Sequence, residues 1–293
     1  MKVLVTGAAG MLGQEVVAQL AAAGWTVRAH DRTALASSGL PGGSVEPVLG
    51  DLLDPGHARE LVDGVDAVVH AAALPSPNSG TPQEVFTVNV QGTYQVLDAA
   101  ARAGVRRMVH ISSLSALGLA WSTVYRAPAE IPVTEGHPYL AEDVYGLSKH
   151  IGELIAETTA RRWGGTVVSL RFPFLGSGQR LRRHLTWVQE DPARDRGGLW
   201  GWLDTRDAAR SVEAALTRPL TGFHLINVAA PDTTALQPTR ELLSRHHPTA
   251  PLADAPDAFG TPYSTRRSTE LLGFTPIHTW RDGTPAGLTG EQI

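Results

Sequence analysis

Short apolar, β-branched runs alternate with amphipathic stretches through the first 171 residues of the chain. Residues 2–6, 24–30, 45–49, 66–70, 105–112 and 166–171 read as strands, several of them apolar almost throughout, the pattern of strands covered on both faces. Residues 11–23, 55–62, 85–103 and 142–163 read as helices between them. Strands separated by helices predict an α/β fold with a doubly wound parallel sheet. Residues 37–44, rich in Ser, Gly and Pro, and residues 114–141, with Pro128, Pro132 and Pro138, read as loops. From Phe172 the alternation breaks down. Residues 199–203 read as a short strand, 204–216 as a helix with Asp204 as N-cap, and 223–228 as a strand returning to the main sheet. Beyond Pro231 prolines are frequent and helices short. The expected division is a nucleotide-binding unit over 1–171, rejoined by 203–229, and a smaller substrate-binding region over 172–202 and 230–293.

The first strand runs into Gly7-Ala8-Ala9-Gly10-Met11-Leu12-Gly13, which opens the first helix. Glycines at such a junction let the chain turn tightly and leave room for a pyrophosphate, to which the helix N-terminus offers free N–H groups and partial positive charge. Gly7, Ala9, Gly10, Met11, Leu12 and Gly13 are therefore candidate cofactor contacts in a Rossmann fold. The spacing is G-x-x-G-x-x-G rather than G-x-G-x-x-G, and a plain tight turn would use the same glycines. Asp31 ends the second strand roughly 20 residues past the glycines, where an acidic side chain accepts hydrogen bonds from an adenosine ribose. Its charge would repel a 2′-phosphate and so favours NAD over NADP, while the neighbouring Arg32 would tolerate that phosphate.

Composition narrows the alternatives. The chain has 293 residues, enough for a large core, with 42% hydrophobic residues. A net charge of −4 gives no footing for nucleic acid. Zero cysteines exclude disulfides and thiolate chemistry. No apolar run approaches the roughly 20 residues that span a bilayer, and the N-terminus lacks a secretory signal, so no membrane partner is expected and the cytoplasm is the expected location. His246-His247 falls in a Pro-rich segment taken as exposed, and no metal-ligand spacing appears elsewhere, so no metal is expected.

Four stretches match one family in order and spacing: Thr6-Gly7-x-x-Gly10-x-x-Gly13, Gly50-Asp51-Leu52, Ser112-Ser113, and Tyr145-x-x-x-Lys149. They resemble the extended short-chain dehydrogenase/reductases, the group of NAD-dependent epimerases and dehydratases. Leu170-Arg171-Phe172-Pro173, Asp204-Thr205-Arg206-Asp207 and Leu271-Leu272-Gly273-Phe274 extend the resemblance over most of the chain. It implies Tyr145 as the base that takes a hydroxyl proton, Lys149 as the ammonium that lowers the tyrosine pKa and holds the nicotinamide ribose, and Ser113 as the donor that positions the substrate oxygen. A free tyrosine titrates near 10 and is a poor base at neutral pH, hence the need for the lysine. An exposed helix pair is the bland alternative for Tyr145 and Lys149, which lie four apart on one face. The resemblance also implies a glycine five residues after the catalytic Ser or Thr, a count that Gly118 meets from Ser113 rather than Ser112, although Leu117 stands where a tyrosine usually precedes it; Ser115 is a minor rival. The resemblance further implies that Asp51 and Leu52 meet the adenine, that Ala71, Ala72 and Ala73 make room for ribose and phosphates, that Ile111 and Ser112 close their strand beside the cofactor, and that Pro173 lies near the nicotinamide amide. Asn89 is either a cofactor contact or a structural amide, and Arg171 is structural. Some members of the group form dimers through a four-helix bundle.

Departures from the family pattern shape the substrate expectation. Leu114-Ser115 stand where dehydratases carry Asp-Glu, which argues against a 4,6-dehydratase. Phe174 stands where many nucleotide-sugar enzymes carry an asparagine, and the C-terminal part is short, which points to a smaller sugar or sugar acid. Arg180, Arg182 and Arg183 are suited to a phosphate or carboxylate, or form a solvated helix face. Arg206 is a second anion candidate unless Asp204 or Asp207 pairs with it. Pro75, Ser113, Tyr145, Arg180 and Arg206 are the candidate substrate contacts. Trp200 and Trp202, alternating on a strand, would share a face and either stack on a sugar or pack in the core. The expected function is NAD-dependent hydride transfer from a secondary alcohol of a sugar-like substrate. An epimerase with the same residues and a non-catalytic NAD(P)-sensing protein are the alternatives.

Overall fold

The computed structural model describes residues 1–35, 44–254 and 256–281. The loop expected over 37–44 lies outside them except for Ser44, as does the end of the Pro-rich C-terminal stretch. The first half runs β1 (Lys2–Thr6), α1 (Met11–Ala22), β2 (Thr26–Asp31), β3 (Val45–Leu49), α2 (Pro55–Val62), β4 (Ala67–His70), α3 (Pro82–Phe86), α4 (Gly92–Arg102) and β5 (Arg107–Ser113). The second half runs α5 (Val144–Trp163), β6 (Thr166–Phe172), β7 (Phe174–Leu175), α6 (Gly178–Glu190), β8 (Trp202–Leu203), α7 (Thr205–Thr217), β9 (Gly222–Asn227) and α8 (Thr239–His246).

Seven strands form one sheet in the order β3-β2-β1-β4-β5-β6-β9, and every pairing is parallel. Alternate strand residues feed two cores. Val3, Val5, Val109 and Leu170 pack with α1 and α7 on one face; Leu4, Val68, Met108 and Val167 pack with α2, α4 and α5 on the other. The strand order reverses direction between β1 and β4, and the carboxyl ends of strands at such a point form a ligand crevice. Gly7, Ala71 and Ser113 all lie at those ends.

Three departures from the sequence pattern have local causes. The long helix expected over 85–103 starts at Pro82, where Thr81 and Glu84 form a reciprocal capping box, and it is interrupted by a π-helical turn over Thr87–Gln91. Residues 178–190 form a helix, longer than the face of Arg180, Arg182 and Arg183 alone indicated. The strand expected over 199–203 shrinks to Trp202–Leu203, because Leu199 and Trp200 take φ of 49° and 55°. Trp200 and Trp202 consequently enter different apolar clusters rather than sharing a face, and both are fully buried. His247 is also buried, with Nε2 2.9 Å from Arg196 O, which corrects its expected exposure.

Candidate active site

The N-terminus of α5 is seated by two glycines. Gly118 has φ +78°, and a Cβ there would lie 2.1 Å from Ala141 N. A Cβ on Gly146 would lie 2.7 Å from Ser115 O. The turn after β5 can therefore fold directly onto the start of α5, which Asp143 caps by accepting from Gly146 N at 2.8 Å. This close approach brings Ser113 against Tyr145.

The Ser113 hydroxyl accepts from Ser115 N at 3.1 Å and lies 3.5 Å from Phe172 O, close enough to Tyr145 to favour the ionised phenol. Ser112, one residue earlier, donates to Glu153 on α5. Lys149 stands one turn beyond Tyr145, with Nζ donating to Ile111 O at 2.8 Å and lying 5.8 Å from the phenol ring centroid. Burial pushes Tyr145 up to about 12, with the Ser113 hydroxyl opposing and Asp143 adding to the rise. That reverses the lowering expected from Lys149. Burial also pushes Lys149 down to about 8, against the pull of Glu153.

Glu153 was not singled out in the sequence, although it continues the four-residue spacing of Tyr145 and Lys149 along one helix face. Arg171 grips it with two hydrogen bonds of 2.7 Å. Burial alone would raise this carboxyl; hydrogen bonds from Arg171, the Arg171 charge and the Ser112 hydroxyl, with His150 3.8 Å away, outweigh it and hold it at about 2. Arg171 is thus structural, as expected, and Glu153 keeps a fixed negative charge under Lys149.

The glycine turn fits a dinucleotide pyrophosphate. No side chain caps α1 at Gly10. A Cβ on Gly13 would lie 2.0 Å from Gly7 O, so the turn closes tightly on itself. Asp31 Oδ2 accepts from Ala9 N at 3.0 Å, which places its carboxylate beside the turn, while Oδ1 accepts from Thr33 N and Oγ1. Arg32 is exposed next to it. Asp51 accepts from Leu53 N at 2.9 Å, and Leu52 is buried in the second core. Ala71, Ala72 and Ala73 follow β4 as half-buried residues facing Gly7 through Ala72, and Pro75 is exposed beyond them. Asn89 spends its amide on the protein: Oδ1 accepts from Leu74 N at 2.8 Å, and Nδ2 donates to Leu74 O and Ser148 Oγ. It acts as a brace between the 71–75 turn and α5. Pro173 follows β6 and is half-buried.

The residues match the NAD dependent epimerase/dehydratase family over positions 3–229. The chain belongs to that family. It is an NAD-dependent enzyme of the short-chain dehydrogenase/reductase type. Among curated relatives, a 119-residue stretch is 45% identical to sterol demethylase protein B of Methylococcus capsulatus, covering 41% of this chain and only 36% of that protein. Uronate dehydrogenase of Pseudomonas putida is 32% identical over 65% of this chain and 67% of its own. L-arabinose 1-dehydrogenase of Haloferax volcanii is 30% identical over 77% and 88%. A solved short-chain dehydrogenase/reductase superfamily protein from Agrobacterium tumefaciens, with bound NAD, matches with a TM-score of 0.71 and 28% identity over 95% of this chain and 93% of its own.

Two anion candidates resolve differently in this family member. Arg206 donates to both Asp204 oxygens at 2.9 and 2.8 Å, the pairing weighed against an anion site, with its side chain still half exposed. Arg180 and Arg183 line an open pocket of about 460 Å³ with Phe174, Gln179, His184 and Trp187. There Phe174 stacks on His184 at 3.7 Å, with the Arg180 guanidinium 4.8 Å from the Phe174 ring. No helix among the described residues is long and apolar enough to cross a membrane.

Proposed function

We propose that this enzyme oxidises a secondary alcohol of a sugar or sugar acid, with Tyr145 as base, Ser113 as positioning donor and Lys149 as electrostatic partner. The close approach at Gly118 and Gly146, which seats Tyr145 beside the end of β5 with Lys149 Nζ 5.8 Å from its ring, carries the reading. NAD, when bound, accepts the hydride. Ser113 orients the reacting hydroxyl toward the phenol oxygen. Tyr145 takes that hydroxyl proton as a phenolate, which the Ser113 hydroxyl and the charged form of Lys149 favour. Lys149 at about 8 exchanges protons near neutral pH, and its bond to Ile111 O holds the ammonium in place.

The Asp31 carboxylate beside Ala9 supports a preference for NAD over NADP. The pocket of Arg180 and Arg183, floored by an aromatic ring, supports a substrate with a carboxylate or phosphate. Phe174 offers that ring where an amide would suit a nucleotide diphosphate. The dehydrogenases of uronate and arabinose among the relatives agree with a substrate of this size.

A panel of aldoses, uronates and sugar phosphates incubated with NAD tests the proposal. Steady formation of reduced nicotinamide, abolished in Tyr145→Phe, is expected. Interconversion of sugars without net reduction would make the protein an epimerase instead. Full activity in Tyr145→Phe would remove the base from the proposal.

A further inference from the structure

Thr6, His70 and Thr93 are interior residues outside the Ser113–Tyr145–Lys149 group, each at most 3% exposed. Thr6 and His70 are register partners on β1 and β4, and Thr93 lies on α4. Thr93 Oγ1 donates to Asn89 O at 2.5 Å. His70 Nε2 lies 3.0 Å from Thr93 Oγ1, and His70 Nδ1 lies 2.8 Å from Thr6 Oγ1. Thr6 Oγ1 also accepts from Ala72 N at 3.4 Å.

One end fixes the direction of the whole chain. A hydroxyl has one proton, and a carbonyl only accepts. The Thr93 proton goes to Asn89 O, so Thr93 Oγ1 must accept from His70 Nε2–H. A neutral imidazole protonated at Nε2 has a bare Nδ1, which accepts the Thr6 proton. Thr6 Oγ1 is then left to accept from Ala72 N–H. Burial, reinforced by His110, Lys149 and His30, holds His70 well below the usual imidazole range, so the ring is neutral.

We propose that His70, as the Nε2–H tautomer, is a positioning residue for NAD: it ties the π turn at Asn89 to Ala72 and so fixes residues 71–74 against the glycine turn. Both ends of that stretch are pinned to the chain of bonds. Asn89 holds Leu74 by its N–H and its carbonyl. Ala72 N would lie 2.6 Å from a Cβ on Gly7, so residue 72 cannot shift without disturbing the glycine turn. The inference rests on NAD as cofactor, and not on Tyr145 as base.

Two measurements on the full chain test it. Long-range proton–nitrogen NMR of the ¹⁵N-labelled protein should show His70 protonated at Nε2 and bare at Nδ1. Thr6→Val and Thr93→Val remove a hydroxyl at nearly constant shape. By calorimetry each should weaken NAD binding about 10-fold, because each leaves a buried partner unsatisfied. The double variant should be scarcely weaker than either single one, as expected for parts of one unit. The KM for NAD should rise while kcat stays within about twofold, a split that general loosening of the fold would not produce. An Nδ1–H tautomer, unchanged NAD affinity in both variants, or additive losses would overturn the proposal. The tautomer is read on the unmutated protein and decides the matter even where a variant fails to fold. Loss of activity in Tyr145→Phe with these results intact, or the reverse, keeps the two proposals distinguishable.

Discussion

Ser112 and Ser113 are adjacent on β5, yet the Ser112 hydroxyl donates to Glu153 on α5 while the Ser113 hydroxyl accepts from Ser115 N at the strand's end. Successive strand residues point to opposite faces, so one residue of register separates a buried structural serine from a candidate catalytic one.

Ser113→Ala should lower turnover about 100-fold, the usual scale for losing a positioned proton-transfer partner. Ser112→Ala should leave turnover within a few-fold and lower the melting temperature, because Glu153 loses a buried donor. Steady-state NAD reduction and thermal unfolding of the two variants check this together. Equal losses of turnover would refute the division of roles.

Glu153 and Arg171 form a bidentate pair in which each side chain is 5% exposed. Removing one partner strands a buried charge, so Glu153→Gln or Arg171→Met should each cost about 3–5 kcal/mol in urea unfolding. The double variant should recover part of that loss. Glu153 also raises Lys149. Its removal should therefore move the lysine further down from about 8, seen as an acid-side shift in the pH dependence of NAD reduction.

His30, Thr6, His70, His110 and Ser169 occupy one register row across the sheet. Burial is the largest cause of lowering in each histidine: His30 falls from 6.5 to about 4, His110 from 6.5 to about 3, and His70 moves the same way. A depressed histidine contributes stability that is fully present above its unfolded pKa and is lost as pH falls toward its folded one. Unfolding free energy should thus be flat just above pH 6.5 and decline below it, by up to about 1.4 kcal/mol per pH unit for each histidine. Urea titrations between pH 7 and about 4.5 measure the slope, and His110→Asn should make it shallower. Glu153, held at about 2, adds to the decline only near and below its ordinary 4.5.

Gly118 and Gly24 both have positive φ, +78° and +82°, but they differ in surroundings. Nothing lies within 4 Å of a Cβ on Gly24. Gly24→Ala should cost only the backbone term, about 1 kcal/mol. Gly118→Ala would also drive a methyl into the 140–141 backbone and unseat the start of α5. It should lower turnover at least about 10-fold while NAD affinity, read by calorimetry, changes little. Comparable effects at the two glycines would show that the close approach does not position Tyr145.

The order of strands and helices, the glycine turn, Asp31 and the Tyr145–Lys149 spacing were legible because each is a local signal: a period, a φ requirement, or two residues four apart on a helix. These fix the family and the cofactor crevice. Gly118, on which the sequence preference for Ser113 over Ser112 rests, makes a close approach between segments 22 residues apart in sequence. Burial, hydrogen-bond partners and electrostatic shifts are properties of what surrounds a side chain, and they were not legible. Tertiary packing therefore decided that Glu153 is paired with Arg171, that Arg206 pairs with Asp204, that Trp200 and Trp202 part company, and that the phenol of Tyr145 is raised rather than lowered. Periodicity along a chain records which way a residue faces, whereas its chemistry depends on what the rest of the chain brings to that face.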